Sequence, residues 1–217
     1  MLFRYVAASI IIWLASVFYN ASDPAPQQAR LDEVSFYLPL KIGNTWTYNV
    51  EGILNGMHTF FQLRVRINDT LRHSDGSLLF SHGEYFNEEI RGDSLKQYVT
   101  GYYTIRDRTI YNYNSASDSD LYHRPTYAVP LLKAPLAVGN EWEYDRDERV
   151  SSYRIASIGQ LTFRGTPIDS VVLVVGHWSD VVDSSWYAPG IGLLKECVGN
   201  SKDFRKVSTL QDFRVTK

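Results

Sequence analysis

Apolar and polar side chains alternate without a break in Phe61-Gln62-Leu63-Arg64-Val65-Arg66-Ile67-Asn68. A period of two turns one set of side chains toward a buried face and the other toward water, as in a half-buried β-strand. Trp46-Thr47-Tyr48-Asn49-Val50-Glu51 shows the same pattern, and the link between the two runs contains Asn55-Gly56. Asn-Gly is favoured in tight hairpins because both residues tolerate a positive φ. These runs therefore predict two antiparallel strands joined by a hairpin.

The strand signal continues along the rest of the chain. Asp75-Gly76 and Arg91-Gly92-Asp93 separate further apolar-polar runs, and Arg106-Asp107-Arg108 lies between two more. Val171–Val175 is continuously apolar and rich in β-branched valine, which suits a central strand covered on both faces. Val150–Ile158 is the best helical candidate, although its Ser and Tyr content favours a strand at least as strongly. We predict an all-β domain, an antiparallel meander of about ten to twelve strands that forms a barrel or a strongly curved half-barrel.

The sequence contains an internal repeat. Pro39–Tyr48 (PLKIGNTWTY) and Pro135–Tyr144 (PLAVGNEWEY) share Pro, Leu, Gly, Asn, Trp and Tyr at equivalent positions. Pro fixes the strand entry, Gly-Asn makes a bend, and the Trp and Tyr two positions apart point to one face. We predict two related halves that begin with the same corner and place an aromatic pair in a shared core. Two unrelated strands with similar turn chemistry are the alternative.

A further turn signal lies near the C-terminus, in Trp186-Tyr187-Ala188-Pro189-Gly190-Ile191-Gly192-Leu193-Leu194-Lys195. Pro at the second position and Gly at the third position of Ala188–Ile191 favour a type II turn. Gly192 then permits a bulge or close packing at the start of the next strand. A phosphate loop is disfavoured because no Gly-Lys-Ser/Thr sequence is present. The repeat and this turn predict the following structural anchors: Trp46, Tyr48, Trp142, Tyr144, Trp186, Pro189, Gly190 and Gly192.

These two motifs carry a family resemblance. The Pro-Leu-x-x-Gly-x-x-Trp-x-Tyr opening and the Trp-Tyr-Ala-Pro-Gly-Ile-Gly-Leu-Leu-Lys ending resemble the TapB-like domain family of exported bacterial β-rich proteins of unknown function. The resemblance covers roughly residues 35–200. It implies an all-β domain in a bacterial envelope or secreted setting, and it supplies no catalytic residues. The chain departs from the lipoprotein members because no cysteine follows its apolar N-terminal run.

Residues 1–21 have the composition of an export signal. Arg4 is their only charge, and the apolar run Tyr5–Phe18 is shorter than the roughly 20 residues that span a bilayer as a helix. Cleavage after Ala21 would put Tyr19 where a small residue is preferred. An uncleaved inner-membrane anchor therefore remains an alternative, as does a buried N-terminal helix. We predict an exported protein, periplasmic or extracellular.

The predicted domain organisation follows from these segments. Residues 22–34 are polar and contain two prolines, so they read as a linker after the signal peptide or anchor of residues 1–21. Residues 35–217 form a single β domain, with halves at about 35–128 and 129–217.

Charge and cysteine content exclude several classes of protein. The 22 Lys and Arg residues against 24 Asp and Glu residues give a formal net charge of −2. A general nucleic-acid binder would carry a basic excess instead. The single cysteine, Cys197, excludes an internal disulfide framework and a multi-cysteine zinc site. Cys197 falls in a predicted strand, where it is expected to be a small buried hydrophobe.

Few residues suggest catalysis. His82-Gly83-Glu84 would place a histidine and a carboxylate on one face of a strand, and a surface or strand-edge pair is expected there. Glu88-Glu89 and Asp145-x-Asp147-Glu148 are expected at solvated strand ends, since a glycosidase needs two carboxylates that face each other across a cleft. The sequence has no Gly-x-Ser-x-Gly and no His-Glu-x-x-His motif. We predict no catalytic residue, no cofactor and no metal ligand.

The many tyrosines suit a pleated, half-buried surface, or an aromatic-lined concave face that holds a ligand. We predict a non-catalytic exported binding or assembly module for an apolar, lipid-like, glycan or protein partner in the envelope. No nucleic-acid partner is expected, and membrane contact is expected only through residues 1–21 if they are not cleaved. The alternatives are a structural cell-surface component without a ligand and a β-scaffold hydrolase that uses His82 with Glu84.

Overall fold

The structure is a computed structural model that describes residues 33–54, 56–72, 76–87, 96–113, 128–146, 149–200 and 204–216. The chain divides into two compact units, Met1–Arg30 and Leu31–Lys217. The predictions on residues 1–21, on nearly all of the linker and on Arg91-Gly92-Asp93 lie outside the described residues. Within the described part, no helix is long and apolar enough to cross a membrane.

One short helix and twelve strands make up the described part of the second unit. In chain order they are α1 (Val34–Tyr37), β1 (Thr45–Leu54), β2 (Met57–Arg72), β3 (Leu78–Asn87), β4 (Lys96–Arg106), β5 (Thr109–Tyr113), β6 (Ala128–Lys133), β7 (Glu141–Arg146), β8 (Arg149–Phe163), β9 (Thr166–Trp178), β10 (Val181–Ala188), β11 (Gly192–Gly199) and β12 (Phe204–Arg214).

The strands form one antiparallel sheet in the order β6-β5-β4-β3-β2-β1-β12-β11-β10-β9-β8-β7. It consists of two meanders of six strands, which are joined where β1 pairs with β12. The sheet curls into a nearly closed barrel, with β6 and β7 at its two edges. This confirms the prediction of an all-β antiparallel barrel. Val150–Ile158 lies in β8, so the strand interpretation of that segment is confirmed.

Hairpin turns follow the local sequence signals. Gly56 has a φ of 77° between β1 and β2, and Gly76 has a φ of 86° before β3. Asp107 and Arg108 join β4 to β5 with φ values of 49° and 56°. Two successive positive φ angles match the right-handed twist of the flanking strands, which explains a tight turn there without glycine.

Both ends of the barrel can be defined by their turns. The two corners that precede β1 and β7 lie at one end, together with the β10–β11 turn, because alternate strands of a meander run in the same direction. We call this the proximal end. The opposite end, which carries the β1–β2 and β9–β10 turns, is the distal end.

The two corners have the same hydrogen bonds. In the first, the Gly43 amide donates to the Ile67 carbonyl at 2.9 Å, and the Ile67 amide donates to the Asn44 carbonyl at 3.0 Å. The Asn44 side chain also donates to the Pro39 carbonyl at 2.7 Å. In the second corner, Gly139, Ile155, Asn140 and Pro135 form the equivalent bonds at 2.9 Å each. The sequence repeat therefore corresponds to a repeat of backbone geometry.

The first corner packs directly against the C-terminal turn. The Trp46 indole is 1% exposed, and its Nε1 donates to the Ile191 carbonyl at 2.6 Å. Gly190 has a φ of 71°, and the Ile191 amide donates to the Ala188 carbonyl at 3.2 Å, which fits a type II turn. A Cβ on Gly192 would lie 2.8 Å from Trp46 Nε1, so only glycine leaves room for the indole there.

The remaining predicted anchors differ in their burial. The Tyr48 hydroxyl is buried and donates to the Leu193 carbonyl at 3.2 Å. Trp142 is 5% exposed, and its Nε1 donates to the Pro130 carbonyl at 3.3 Å, which links β7 to β6. Tyr144 is half-buried. Trp186 is also half-buried, and the Lys195 Nζ lies 5.4 Å from its ring centroid.

An apolar core fills the proximal half of the barrel. The helix α1 contributes to it, since the Tyr37 hydroxyl donates to the Ser170 carbonyl at 3.0 Å and the Gly190 amide donates to the Phe36 carbonyl at 2.7 Å. Burying one large aliphatic or aromatic side chain contributes about 1.5–3 kcal/mol. The most deeply buried apolar residues come from both meanders: Trp46, Ile67, Ile110, Leu132, Ile155, Val172, Leu194 and Leu210.

Candidate functional site

Four charged side chains lie on the inner face of the barrel, on the distal side of the apolar core. Residues directly opposite each other on paired strands point to the same face of a sheet. Glu196 in β11 pairs with Ser208 in β12 and with Ser185 in β10, both of which are buried. Ser208 in turn pairs with the core residue Val50. Glu196 therefore points into the barrel.

The same reasoning places the other three charges. Glu84 in β3 pairs with the core residue Val65. Asp183 lies two residues before Ser185 in β10, and Lys206 lies two residues before Ser208 in β12, so strand alternation turns both inward. We call Glu84, Asp183, Glu196 and Lys206 the lumenal cluster.

One ion pair lies within the lumenal cluster. The Lys206 Nζ is 2.6 Å from the Glu196 Oε2, and their side chains keep 38% and 24% of their surface exposed. The Ser208 hydroxyl donates to the same Glu196 oxygen at 3.5 Å. Burial lowers the pKa of Lys206, but the charges of Glu196, Asp183 and Glu84 outweigh it and raise that pKa overall. Water therefore reaches the cluster, and its lysine stays charged.

The other two carboxylates lack such a partner among the described residues. Asp183 accepts a hydrogen bond from the Ser185 hydroxyl at 3.2 Å. Burial, followed by the negative charge of Glu196, raises the pKa of Asp183 to about 7, although Ser185 and Lys206 act in the opposite direction. Burial also raises the pKa of Glu84, with Lys206 opposing and Glu196 adding to this effect. Ionising either carboxyl group inside the barrel is therefore less favourable than ionising it in water.

Tyrosine side chains surround the lumenal cluster. Burial raises the pKa of Tyr103, and the charges of Glu84 and Glu196 raise it further. Burial and the charge of Asp183 similarly raise the pKa of Tyr153 to about 12. Neutral phenol rings thus lie beside the carboxylates, where they provide aromatic faces and hydroxyl groups.

His82 is buried beside the lumenal cluster rather than exposed at the surface. It is 0% exposed, lies two residues before Glu84 on the same face of β3, and stacks on Tyr103 with 4.2 Å between ring centroids. Its Nε2 lies 3.2 Å from the Asn112 Oδ1, so Nε2 carries the proton. Burial lowers its pKa, and Nδ1 has no hydrogen-bond partner in the described part of the chain.

The sequence-based expectation for His82 and Glu84 was therefore wrong. A surface pair was expected because a histidine and a carboxylate at this spacing usually face water. The barrel turns this face of β3 inward, and Gly101 on β4 leaves the space for the imidazole. A Cβ on Gly101 would lie 2.5 Å from the His82 Nε2.

Apolar side chains lie on the inner face of the barrel at its distal end. The rings of Phe61 and Phe86 are in contact at 5.5 Å between centroids. Val198 pairs with both Lys206 and Asp183, so it faces inward. Strand alternation also turns Met57, Trp178 and Phe204 inward. Met57 is 65% exposed and Trp178 is 44% exposed. The distal rim comprises Met57, Phe61, Phe86, Trp178, Val198 and Phe204.

Other residues considered from the sequence contribute little to this site. His58 and His177 are exposed, and Cys197 is half-buried in β11 rather than fully buried as expected. Glu88-Glu89 and Asp147-Glu148 lie outside the described residues. Among the residues that the structure describes, no group of three or more His, Cys, Asp and Glu side chains could hold a metal ion.

Sequence reasoning missed three members of the lumenal cluster. Asp183, Glu196 and Lys206 occupy positions that ordinary strands give to apolar residues. A signal was present in β10, where Val181, Asp183, Ser185 and Tyr187 share one strand face. Only the barrel shows that this face is the inner one.

Comparisons with known proteins identify the fold. No protein-family model matches this chain, and no curated protein matches it. A solved structure from Bacteroides fragilis, described as an exported protein with a YmcC-like fold, is 15% identical at a TM-score of 0.50, covering 82% of this chain and 99% of that one. The two share a fold. A solved structure from Parabacteroides distasonis, described as a lipoprotein, is 9% identical at a TM-score of 0.44, covering 82% of this chain and 98% of that one. The expectation of a β-rich fold of the kind found in exported proteins agrees with the first likeness.

Proposed function

We propose that this chain is a non-catalytic, exported binding module of the bacterial envelope that takes up a lipid-like ligand at the distal end of its barrel. One observation carries the proposal: charged side chains reached by water lie inside the barrel, behind an apolar rim of which Met57 and Trp178 are exposed. Ligand sites typically combine apolar walls with a few convergent polar groups. TapB-like membership and an export signal in residues 1–21 belong to the same proposal.

The energetics of the lumenal cluster support a ligand. Burying charged groups costs several kcal/mol per ion unless they are well paired, so such clusters are weak devices for stability. Carboxylates whose pKa is raised by burial and by neighbouring charges are typical of functional sites. The fold is already stabilised by the apolar core of the proximal half. Asp183 and Glu84 therefore fit a role in binding better than a role in folding.

The interior also bears on the two alternatives. A purely structural barrel would be filled by its Trp and Tyr side chains, and Trp46 and Tyr37 do fill the proximal half. In the distal half, Lys206 and Glu196 keep contact with solvent, which favours binding. A hydrolase that uses His82 is disfavoured because the imidazole has no exposed surface with which to touch a substrate.

Isothermal titration calorimetry with decyl glucoside below its micelle concentration tests this proposal. We expect saturable binding to the full chain that weakens about tenfold in Phe61→Ser, since losing about 1.4 kcal/mol of apolar contact at the rim changes affinity tenfold. Phe60→Ser is the matched control, because Phe60 is exposed and neighbours Phe61 on the opposite face of β2. Equal loss of affinity in both variants would contradict the proposal, as would the failure of every amphiphile with this ten-carbon chain to bind.

A further inference from the structure

We propose that the lumenal cluster binds a primary ammonium group, so that the ligand is a cationic amphiphile with its apolar chain against the distal rim. This inference rests on the proposed function and names the head group of its ligand. The lumenal cluster supplies the charge, the distal rim supplies the apolar contact, and both belong to the same end of one lumen.

The lumenal cluster holds more acidic groups than basic ones. Three carboxylates face one ammonium group, and that ammonium group is held by Glu196 at 2.6 Å. No salt bridge to Glu84 or Asp183 occurs within the described residues. Walls of low dielectric constant focus the field of such uncompensated charges into a cleft. An incoming positive charge is therefore attracted, and an anionic head group would be repelled.

The hydrogen-bonding groups also favour a cation, because acceptors outnumber donors in the lumenal cluster. Glu84 and Asp183 are acceptors when ionised, and the Lys206 ammonium group is already held by Glu196. A primary ammonium group brings three donors and no acceptor, which is the complement of this set.

The aromatic residues add to the preference for a cation. The rings of Tyr103 and Tyr153 lie close enough to the carboxylates for the charges of Glu84 and Asp183 to act on them. A cation that meets the carboxylates also meets neutral aromatic faces. Such contacts strengthen the binding of a cation that is partly desolvated.

Three amphiphiles with the same ten-carbon chain separate this inference from the proposed function. Decylammonium, decanoate and decyl glucoside are titrated into the full chain below their micelle concentrations at pH 8. We expect decylammonium to bind at least tenfold more tightly than the other two. Equal affinities for all three would overturn the ammonium assignment while the proposed function stands. Failure of all three to bind would overturn both.

Variants locate the ammonium group. Asp183→Asn and Glu84→Gln each remove one charge with little change of shape, and each should weaken decylammonium about tenfold while decyl glucoside is unaffected. Asp212→Asn, an exposed carboxylate on β12, is the matched control and should leave both affinities unchanged. Thermal melting shows which variants fold, and either lumenal variant alone suffices. Unchanged decylammonium affinity in a folded lumenal variant, or an equal loss in the control, would overturn the assignment.

The pH dependence gives a further readout. Asp183 faces Glu196 from β11, Lys206 from β12, Tyr153 from β8 and Tyr187 of its own strand, and its pKa of about 7 makes it titrate near neutrality. An ammonium group binds the ionised form, so decylammonium affinity should fall as pH drops from 8 to 6. Asp183→Asn should flatten this dependence. A wild-type affinity independent of pH over that range would overturn the role of Asp183.

Discussion

The proximal and distal halves of the barrel differ in the side chains that they turn inward. At the proximal end, two corners with one sequence and one hydrogen-bond pattern anchor indoles in an apolar core. At the distal end, the same strands turn carboxylates and a lysine inward, and these are incompletely paired within the described residues. A single meander can therefore confine its apolar packing to one half and its inward-facing charges to the other, without a second domain. Substitutions at the two ends should therefore differ in sign as well as in size.

The largest effect is expected at the first corner. Trp46→Ala removes a fully buried indole and its bond to the Ile191 carbonyl, so it should lower the free energy of unfolding by about 3–5 kcal/mol. Urea unfolding monitored by circular dichroism measures this loss. An unchanged unfolding midpoint would show that Trp46 does not anchor the core. It would also contradict the role of the proximal half in stability.

The second corner should contribute less. Trp142 has the same place in the repeat, but its bond to Pro130 is longer, at 3.3 Å, and it lies at the seam between the edge strands β6 and β7. We expect Trp142→Ala to cost about 3 kcal/mol, the lower end of the range for large aromatic truncations. The same urea experiment applies. A loss of stability equal to that of Trp46→Ala would mean that the two corners contribute equally to the stability of the fold.

A smaller loss is expected at the C-terminal turn. Gly192→Ala would put a Cβ 2.8 Å from the Trp46 Nε1 at a φ of 114°, so overpacking should cost about 1–3 kcal/mol. Gly159→Ala is a useful control, because nothing lies within 4 Å of the Cβ that it adds and it has no positive φ. Both variants are compared by thermal melting. Equal stability of the two variants would show that the turn does not press on the indole.

The smallest change in stability, a gain rather than a loss, is expected from a substitution in the distal half. Because the pKa of Asp183 is raised in the folded state to about 7 from its ordinary 3.8, the folded state holds this proton more tightly than the unfolded state. The contribution of Asp183 to stability is therefore lost as pH rises from 4 to 7.

Asp183→Asn removes that loss. Relative to wild type, the variant should gain stability when the pH is raised from 5 to 8, which urea unfolding at both values measures. Asp212→Asn should show no such gain. A gain of the same size in this exposed control would point to net charge rather than to the lumenal position of Asp183.

The proximal half could be predicted from the sequence, and the distal half could not. The alternation in residues 61–68 and the repeated Gly-Asn-x-Trp-x-Tyr are local signals, because a corner and a strand face are set within a few residues. Asp183 and Lys206 meet only through pairing between strands that are distant in sequence, and local alternation cannot tell an inner polar face from an outer one. His82 shows the same limit, since its burial depends on the space at Gly101.

The pairing of β1 with β12 has a kinetic consequence. Thr45 lies opposite Arg214, so the sheet is completed only when segments from opposite ends of the domain meet. Closing the long intervening chain costs conformational entropy before these contacts form and stabilise the fold. β-Proteins dominated by such long-range contacts fold in about milliseconds to seconds. Until that encounter, each meander exposes unpaired strand edges, which are templates for aggregation. The joining of the two half-barrels is therefore the step at which a chaperone would be most useful to this protein.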